Sequence, residues 1–165
     1  MSRLIYIHNQ HQTESWNALA DLILDGLPIE VIDFMDIRNK YRFRTTPTVL
    51  ILPDNAEITE KNTAVLLEEF TPQLIRDKQA SARVITLSAP KTEVAVGEVL
   101  RITASMTDLD GNDVPIEPIL FDPLGLQLTD SEGILDFSAS EEGVYIIETK
   151  TPDCVQGYLE VTVNG

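Results

Sequence analysis

The stretch Thr46-Pro47-Thr48-Val49-Leu50-Ile51-Leu52 decides how the first half of this chain is read. Proline has no N–H to give to a ladder, so a proline directly before a run of β-branched and aliphatic residues marks a tight turn or the first residue of a strand. A second such run lies upstream, Arg3 to His8, and it breaks at the polar stretch Asn9-Gln10-His11-Gln12-Thr13. From there Trp16, Leu19, Ala20, Ile23, Leu24 and Leu27 recur at spacings of three and four, which predicts a helix with those residues on its buried face, ended by Gly26 and Pro28. Ile29 to Phe34 reads as a short buried strand, and its connection through a helix predicts parallel pairing with the first.

Downstream of the deciding stretch, the turn Pro53-Asp54-Asn55 leads into Ala56 to Glu60, read as an antiparallel edge strand. Thr71-Pro72 supplies an N-cap with proline at the first helical position, and a helix is predicted through about Gln79 with Leu74 and Ile75 inward. The order βαβ followed by ββα predicts an α/β domain over residues 1–82.

That order, with the segment Asp36-x4-Tyr41-x-Phe43-x2-Thr46-Pro47-Thr48-Val49-Leu50, resembles the thioredoxin family over about residues 1–80. The resemblance implies that Pro47 is the family's cis-proline. It also implies two cysteines between the first strand and the first helix, but that region here is Asn9 to Trp16 and contains none. Cys154 is the only cysteine of the chain. Thiol–disulfide exchange needs an attacking thiolate, so the expectation is a scaffold and not an enzyme, with no catalytic, cofactor-binding or metal-binding residues. His8 and His11 lack a third ligand, and Ser15 with His11 lacks an orienting group and an oxyanion site, so neither pair is assigned chemistry.

Beyond Gln79-Ala80-Ser81-Ala82 the helical periods stop. Short alternating runs follow at Val84–Ser88, Val99–Thr107, Ile116–Asp122, Gly133–Ser138, Gly143–Lys150 and Gly157–Val163, separated by turn signals such as Asp110-Gly111-Asn112. An all-β sandwich over residues 83–165 is predicted, with Leu100, Ile102, Ala104 and Met106 on the buried face. The opening Val94-x-Val96-Gly97-Glu98, the loop Asp108-x-Asp110-Gly111-Asn112-x-Val114-Pro115 and Glu142-Gly143-Val144-Tyr145 resemble bacterial immunoglobulin-like domains. Asp108, Asp110 and Asn112 imitate half a calcium loop, yet an EF-hand would need a glutamate where Ile119 stands.

Charge narrows the partners. Residues 1–82 carry 8 Lys and Arg against 12 Asp and Glu, a net of −4, whereas residues 83–165 carry 4 against 15, a net of −11. An acidic chain repels phosphate backbones and anionic lipid surfaces, so nucleic acid is not expected, and without a run of about 18 apolar residues neither is membrane insertion. Against this background Arg38, Lys40, Arg42 and Arg44 concentrate half of the first domain's positive charge in seven residues, a candidate interface for an acidic protein surface. The opening residues read as no signal peptide, so synthesis in the cytosol is expected. Immunoglobulin-like modules of bacteria usually act outside the cytosol. A phage virion component of the tail, baseplate or capsid-decorating kind reconciles the two, with homo-oligomeric or virion neighbours as partners. The alternative is a cytosolic adaptor holding an extended peptide near Pro47, with Trp16 and Phe43 lining the groove.

Overall fold

The protein is described from a computed structural model covering residues 2–38, 45–54, 56, 65–122 and 132–165. The chain divides into two compact units, Met1–Ala82 with Asp108–Asp110, and Arg83–Thr107 with Gly111–Gly165.

In the first unit β1 (Ser2–His8), α1 (Thr13–Leu24) and β2 (Ile29–Asp33) form a βαβ unit in which β1 and β2 are parallel. A short helix α2 (Phe34–Ile37) follows, then β3 (Thr48–Pro53), β4 (Val65–Leu67) and α3 (Pro72–Ser81). The sheet order is β2-β1-β3-β4, with β3 antiparallel to both neighbours. The region is a mixed α/β sheet. Side-chain alternation along β1 sends Ile5 and Ile7 to one face, where they pack with Leu50, Leu52 and Ile37. Tyr6 and His8 point to the other face, where α1 and α3 lie: Tyr6 donates to the Ser15 carbonyl at 2.6 Å, and Gln79 of α3 donates to Ser2 at 2.7 Å.

Several sequence expectations shift by a turn or a strand. Phe34 opens α2 and does not end β2, because Asp33 accepts from the Met35 N–H at 2.9 Å and caps a new helix. Of the expected strand Ala56–Glu60, residues 57–60 lie outside the described residues, and the strand paired to β3 is Val65–Leu67. Thr71 does cap α3, accepting from the Leu74 N–H at 3.1 Å, and Ile75 is fully buried, whereas Leu74 is half-buried.

The largest departure concerns α1. Its buried residues are Ser15, Leu19 and Leu22, whereas Trp16, Ala20, Ile23 and Leu24 are exposed. Both sets satisfy helical spacing, about a quarter turn apart at 100° per residue. The set containing Ser15 faces the sheet because its hydroxyl binds the polar end of β1.

The second unit contains β5 (Arg83–Ser88), β6 (Glu93–Ala95), β7 (Leu100–Thr107), β8 (Phe121–Asp122), β9 (Ile134–Phe137), β10 (Gly143–Thr149), β11 (Cys154–Val155) and β12 (Tyr158–Asn164). They form two four-stranded sheets, β11-β5-β7-β9 and β6-β12-β10-β8. Ile85, Leu100, Ile102 and Phe137 from the first sheet and Val94, Phe121, Ile147 and Val161 from the second belong to one buried cluster. The alternation Leu100, Ile102, Ala104, Met106 is buried as its period requires. The predicted strand Ile116–Asp122 shortens to Phe121–Asp122, preceded by a bridge at Leu120 whose carbonyl accepts from the Lys150 N–H at 2.8 Å, and β6 and β11 are short strands that carry little pattern.

Around β11 the Gln156 amide makes four hydrogen bonds. Its oxygen accepts from Thr149 Oγ1 (2.7 Å) and the Thr151 N–H (3.0 Å), and its nitrogen donates to the carbonyls of Thr151 (2.7 Å) and Cys154 (2.9 Å). The amide is thereby saturated and pins residues 149–157 as one loop. Among the described residues no helix is long and apolar enough to cross a membrane.

Candidate functional site

The polar residues of the first unit converge where β1 ends, α1 begins and β3 is entered. Gln12 is the N-cap of α1, but its side chain does not cap the helix; its oxygen accepts instead from Thr46 Oγ1 at 2.8 Å. Asn9 donates to the same Thr46 hydroxyl at 3.3 Å. The loop after β1 is thus tied to the loop before β3 through side chains 34 and 37 residues apart in sequence. The Thr46–Pro47 peptide is cis, Pro47 is half-buried, and Thr48 donates to the Thr45 carbonyl at 2.6 Å.

Beneath this surface layer Ser15 is fully buried. Its Oγ lies 2.8 Å from His8 Nδ1 and accepts from the Asn9 N–H at 3.0 Å. His8 is itself buried, packs edge-on against Trp16 with ring centroids 4.3 Å apart, and finds no hydrogen-bond partner at Nε2 among the described residues. The histidine that the fold brings to Ser15 is therefore His8; His11 sits in an exposed turn where its N–H donates to Asn9 Oδ1 at 3.1 Å. The Ser15 oxygen is closed off from solvent and already engaged, so it has no room to attack a substrate. Its hydroxyl orients α1. The signal for this was present in the alternation Leu4, Tyr6, His8, which sends His8 to the same face as Tyr6 and toward the helix.

Next to this buried cluster α1 presents an apolar surface. Trp16 is 54% exposed, Ile23 58% and Leu24 85%, and the Trp16 indole N–H donates to the Gln10 carbonyl at 3.0 Å, which holds the ring in place. Val31 and Met35 are exposed to a similar extent. The acidic residues of α1 lie on its other flank, where Asp25 forms an ion pair with Arg76 of α3. Lone exposed aliphatics are ordinary, but apolar residues aligned along one flank of a helix form a patch.

The remaining sequence candidates are dispersed. Arg38 is the C-cap of α2, exposed, with a guanidinium 3.6 Å from Met35 Sδ; Lys40, Arg42 and Arg44 lie outside the described residues, as does Phe43. In the loop after β7, Asp108 Oδ1 accepts from the Asp110 N–H at 2.9 Å and Gly111 takes a φ of +88°, the geometry of a side-chain-stabilised turn. Among the described residues no group of three His, Cys, Asp or Glu side chains is arranged to hold a metal.

Electrostatic perturbation is modest in kind. Burial, opposed by the hydrogen bond to Ser15, raises the Tyr6 phenol. The hydrogen-bonded ion pair raises Arg3 and lowers Glu30; its two N–O contacts are 2.8 and 2.9 Å. Burial pushes the Cys154 thiol up, with Asp153 and Glu117 adding to the effect, so the single cysteine of the chain is held as an unreactive thiol at neutral pH.

No protein-family model matches the chain. No curated protein matches it either. Among solved structures, half of this chain is similar to the PKD domain of an M14-like peptidase from Thermoplasmatales archaeon SCGC AB-540-F20: the match covers 50% of this chain and 94% of that one at 21% identity, with a TM-score of 0.35. The likeness is distant and concerns a PKD-type, immunoglobulin-like β domain.

Proposed function

We propose that this chain is a non-enzymatic component of a protein assembly, acting through protein–protein contacts. The observation that carries the reading is the apolar flank of α1, where Trp16 and Ile23 stand more than half exposed in a chain of net charge −15. Such a patch costs solvation in the free protein and is stabilised when covered. The first unit is taken as a thioredoxin-like domain without its thiols. The strand order β2-β1-β3-β4, the parallel β1–β2 pair and Pro47 at the entry to β3 support that reading. The second unit is taken as an immunoglobulin-like sandwich, supported by its two sheets around one cluster of buried residues.

In its narrower form the proposal is a phage virion protein, made in the host cytoplasm and carried in the particle. The test is whether the chain co-sediments with purified particles from lysed cells, and whether it still does so as Arg42→Glu/Arg44→Glu and as Trp16→Ser. Incorporation that is lost with either variant is expected. A chain recovered only from the particle-free supernatant would refute virion membership, and incorporation indifferent to both variants would refute the surfaces assigned to it.

A further inference from the structure

We propose that the open edge of the first unit's sheet, together with the apolar flank of α1, is the contact surface for a second copy of this chain. This rests on the assembly reading above and names its first partner.

β2 is the outermost strand of its sheet, and among the described residues no strand pairs with its outer side. An edge of five residues presents unpaired N–H and C=O groups, which are satisfied by another extended strand. Val31 stands opposite Tyr6 in the parallel register, and Tyr6 reaches Ser15 of α1, so Val31 lies on the α1 side of the sheet. The flanks of α1 are distinguished by the ion pair between Asp25 and Arg76. It turns the acidic flank toward α3, the helix that follows the opposite edge strand β4. The flank bearing Trp16, Ala20 and Ile23 is therefore turned toward the β2 edge. Open backbone and apolar side chains meet on one side of the unit.

The residue order of β2 suits a second copy as the occupant. A two-fold axis normal to the sheet at Val31 pairs β2 with itself antiparallel: Val31 opposite Val31, Ile29 opposite Asp33, and Glu30 opposite Ile32. No carboxylate then stands directly across from another. Each edge carboxylate is also engaged within its own chain, Glu30 with Arg3 and Asp33 with the Met35 N–H. The edge thus needs no basic partner. The same axis brings both copies of α1 to one face with their apolar flanks toward each other and their acidic flanks outward, a self-complementary contact of the isologous kind.

The test is sedimentation equilibrium of the full chain over about 1–100 μM, where mass action makes dimer content depend on concentration. Wild type is expected at twice the monomer mass. Val31→Lys, which places a charge on the edge, and Ile23→Asp, on the exposed helix flank, are each expected to raise the dimer dissociation constant by roughly 100-fold or more. Val144→Lys, at an exposed position of the second unit, should leave it unchanged. Far-UV circular dichroism confirms that each variant is folded; should Val31→Lys fail to fold, Ile23→Asp decides. A monomer throughout the range, or a dimer insensitive to both substitutions, overturns the proposal. A monomeric wild type whose place in a native assembly is nonetheless lost with Ile23→Asp would assign the surface to a foreign strand, overturning the second copy while leaving the assembly reading intact.

Discussion

Replacing Ser15 by alanine removes one oxygen from a site with no access to water. Ser15 Oγ serves His8 Nδ1 at 2.8 Å and the Asn9 N–H at 3.0 Å, and His8 Nε2 already lacks a partner among the described residues. After the substitution the buried imidazole has no hydrogen bond at either nitrogen. Each buried polar group left without a partner costs about 1–3 kcal/mol, and Asn9, half-buried in a loop, falls at the low end. The expected loss is about 2–4 kcal/mol, a large share of the roughly 4–12 kcal/mol available to a unit of this size. Trp16 is the only tryptophan and its ring packs on His8, so its fluorescence reports unfolding of this unit in urea. With an m-value of about 1–1.5 kcal/mol/M the midpoint should fall by about 1–4 M. His8→Phe added to Ser15→Ala replaces both partners by apolar groups of related shape. It should recover all but about 1 kcal/mol, the residue owed to Asn9. A single substitution costing less than about 0.5 kcal/mol, or a double variant no more stable than the single, would refute the claim that this hydroxyl orients α1.

Two further outcomes concern the second unit, and for the first of them labelling of the buried Cys154 during unfolding is the reporter. In Gly133→Ala the new Cβ would stand 2.6 Å from the Ala104 carbonyl oxygen at a φ of +76°, so about 3–5 kcal/mol should be lost from backbone conformation and steric displacement combined. Gly111→Ala, at a φ of +88° with open space around it, should cost only about 1 kcal/mol; equal losses would show that the close approach is unimportant. The raised thiol of Cys154 sets a pH dependence. Its folded state holds the proton more tightly than the unfolded chain does, so its contribution is complete below the ordinary thiol value of about 8.5 and is lost as pH rises through the folded value. Followed by far-UV circular dichroism, the midpoint should therefore decline above about pH 9, and Cys154→Ala should flatten that decline.

Period and punctuation alone made the architecture legible. The runs Arg3–His8 and Thr48–Leu52 are apolar enough to be strands in any context, Thr71-Pro72 marks a helix start by its own chemistry, and Asp-Gly and Glu-Gly turns separate the later strands. The absence of cysteine before Cys154 removes thiol exchange from the first unit without reference to any fold. What the sequence could not decide was orientation. On α1 two stripes fit a helical period equally well, and the more apolar one, with Trp16, Ile23 and Leu24, is the exposed one. The choice belongs to a serine and a histidine seven residues apart, whose hydrogen bond exists only once β1 and α1 are packed. The Gln156 knot and the Gln12–Thr46 tie are of the same kind: single polar side chains, silent in any periodicity, that select one packing among several compatible with the hydrophobic pattern. On α1 hydrophobic burial alone would favour the other stripe, whereas the Ser15–His8 pair is satisfied only in the observed packing.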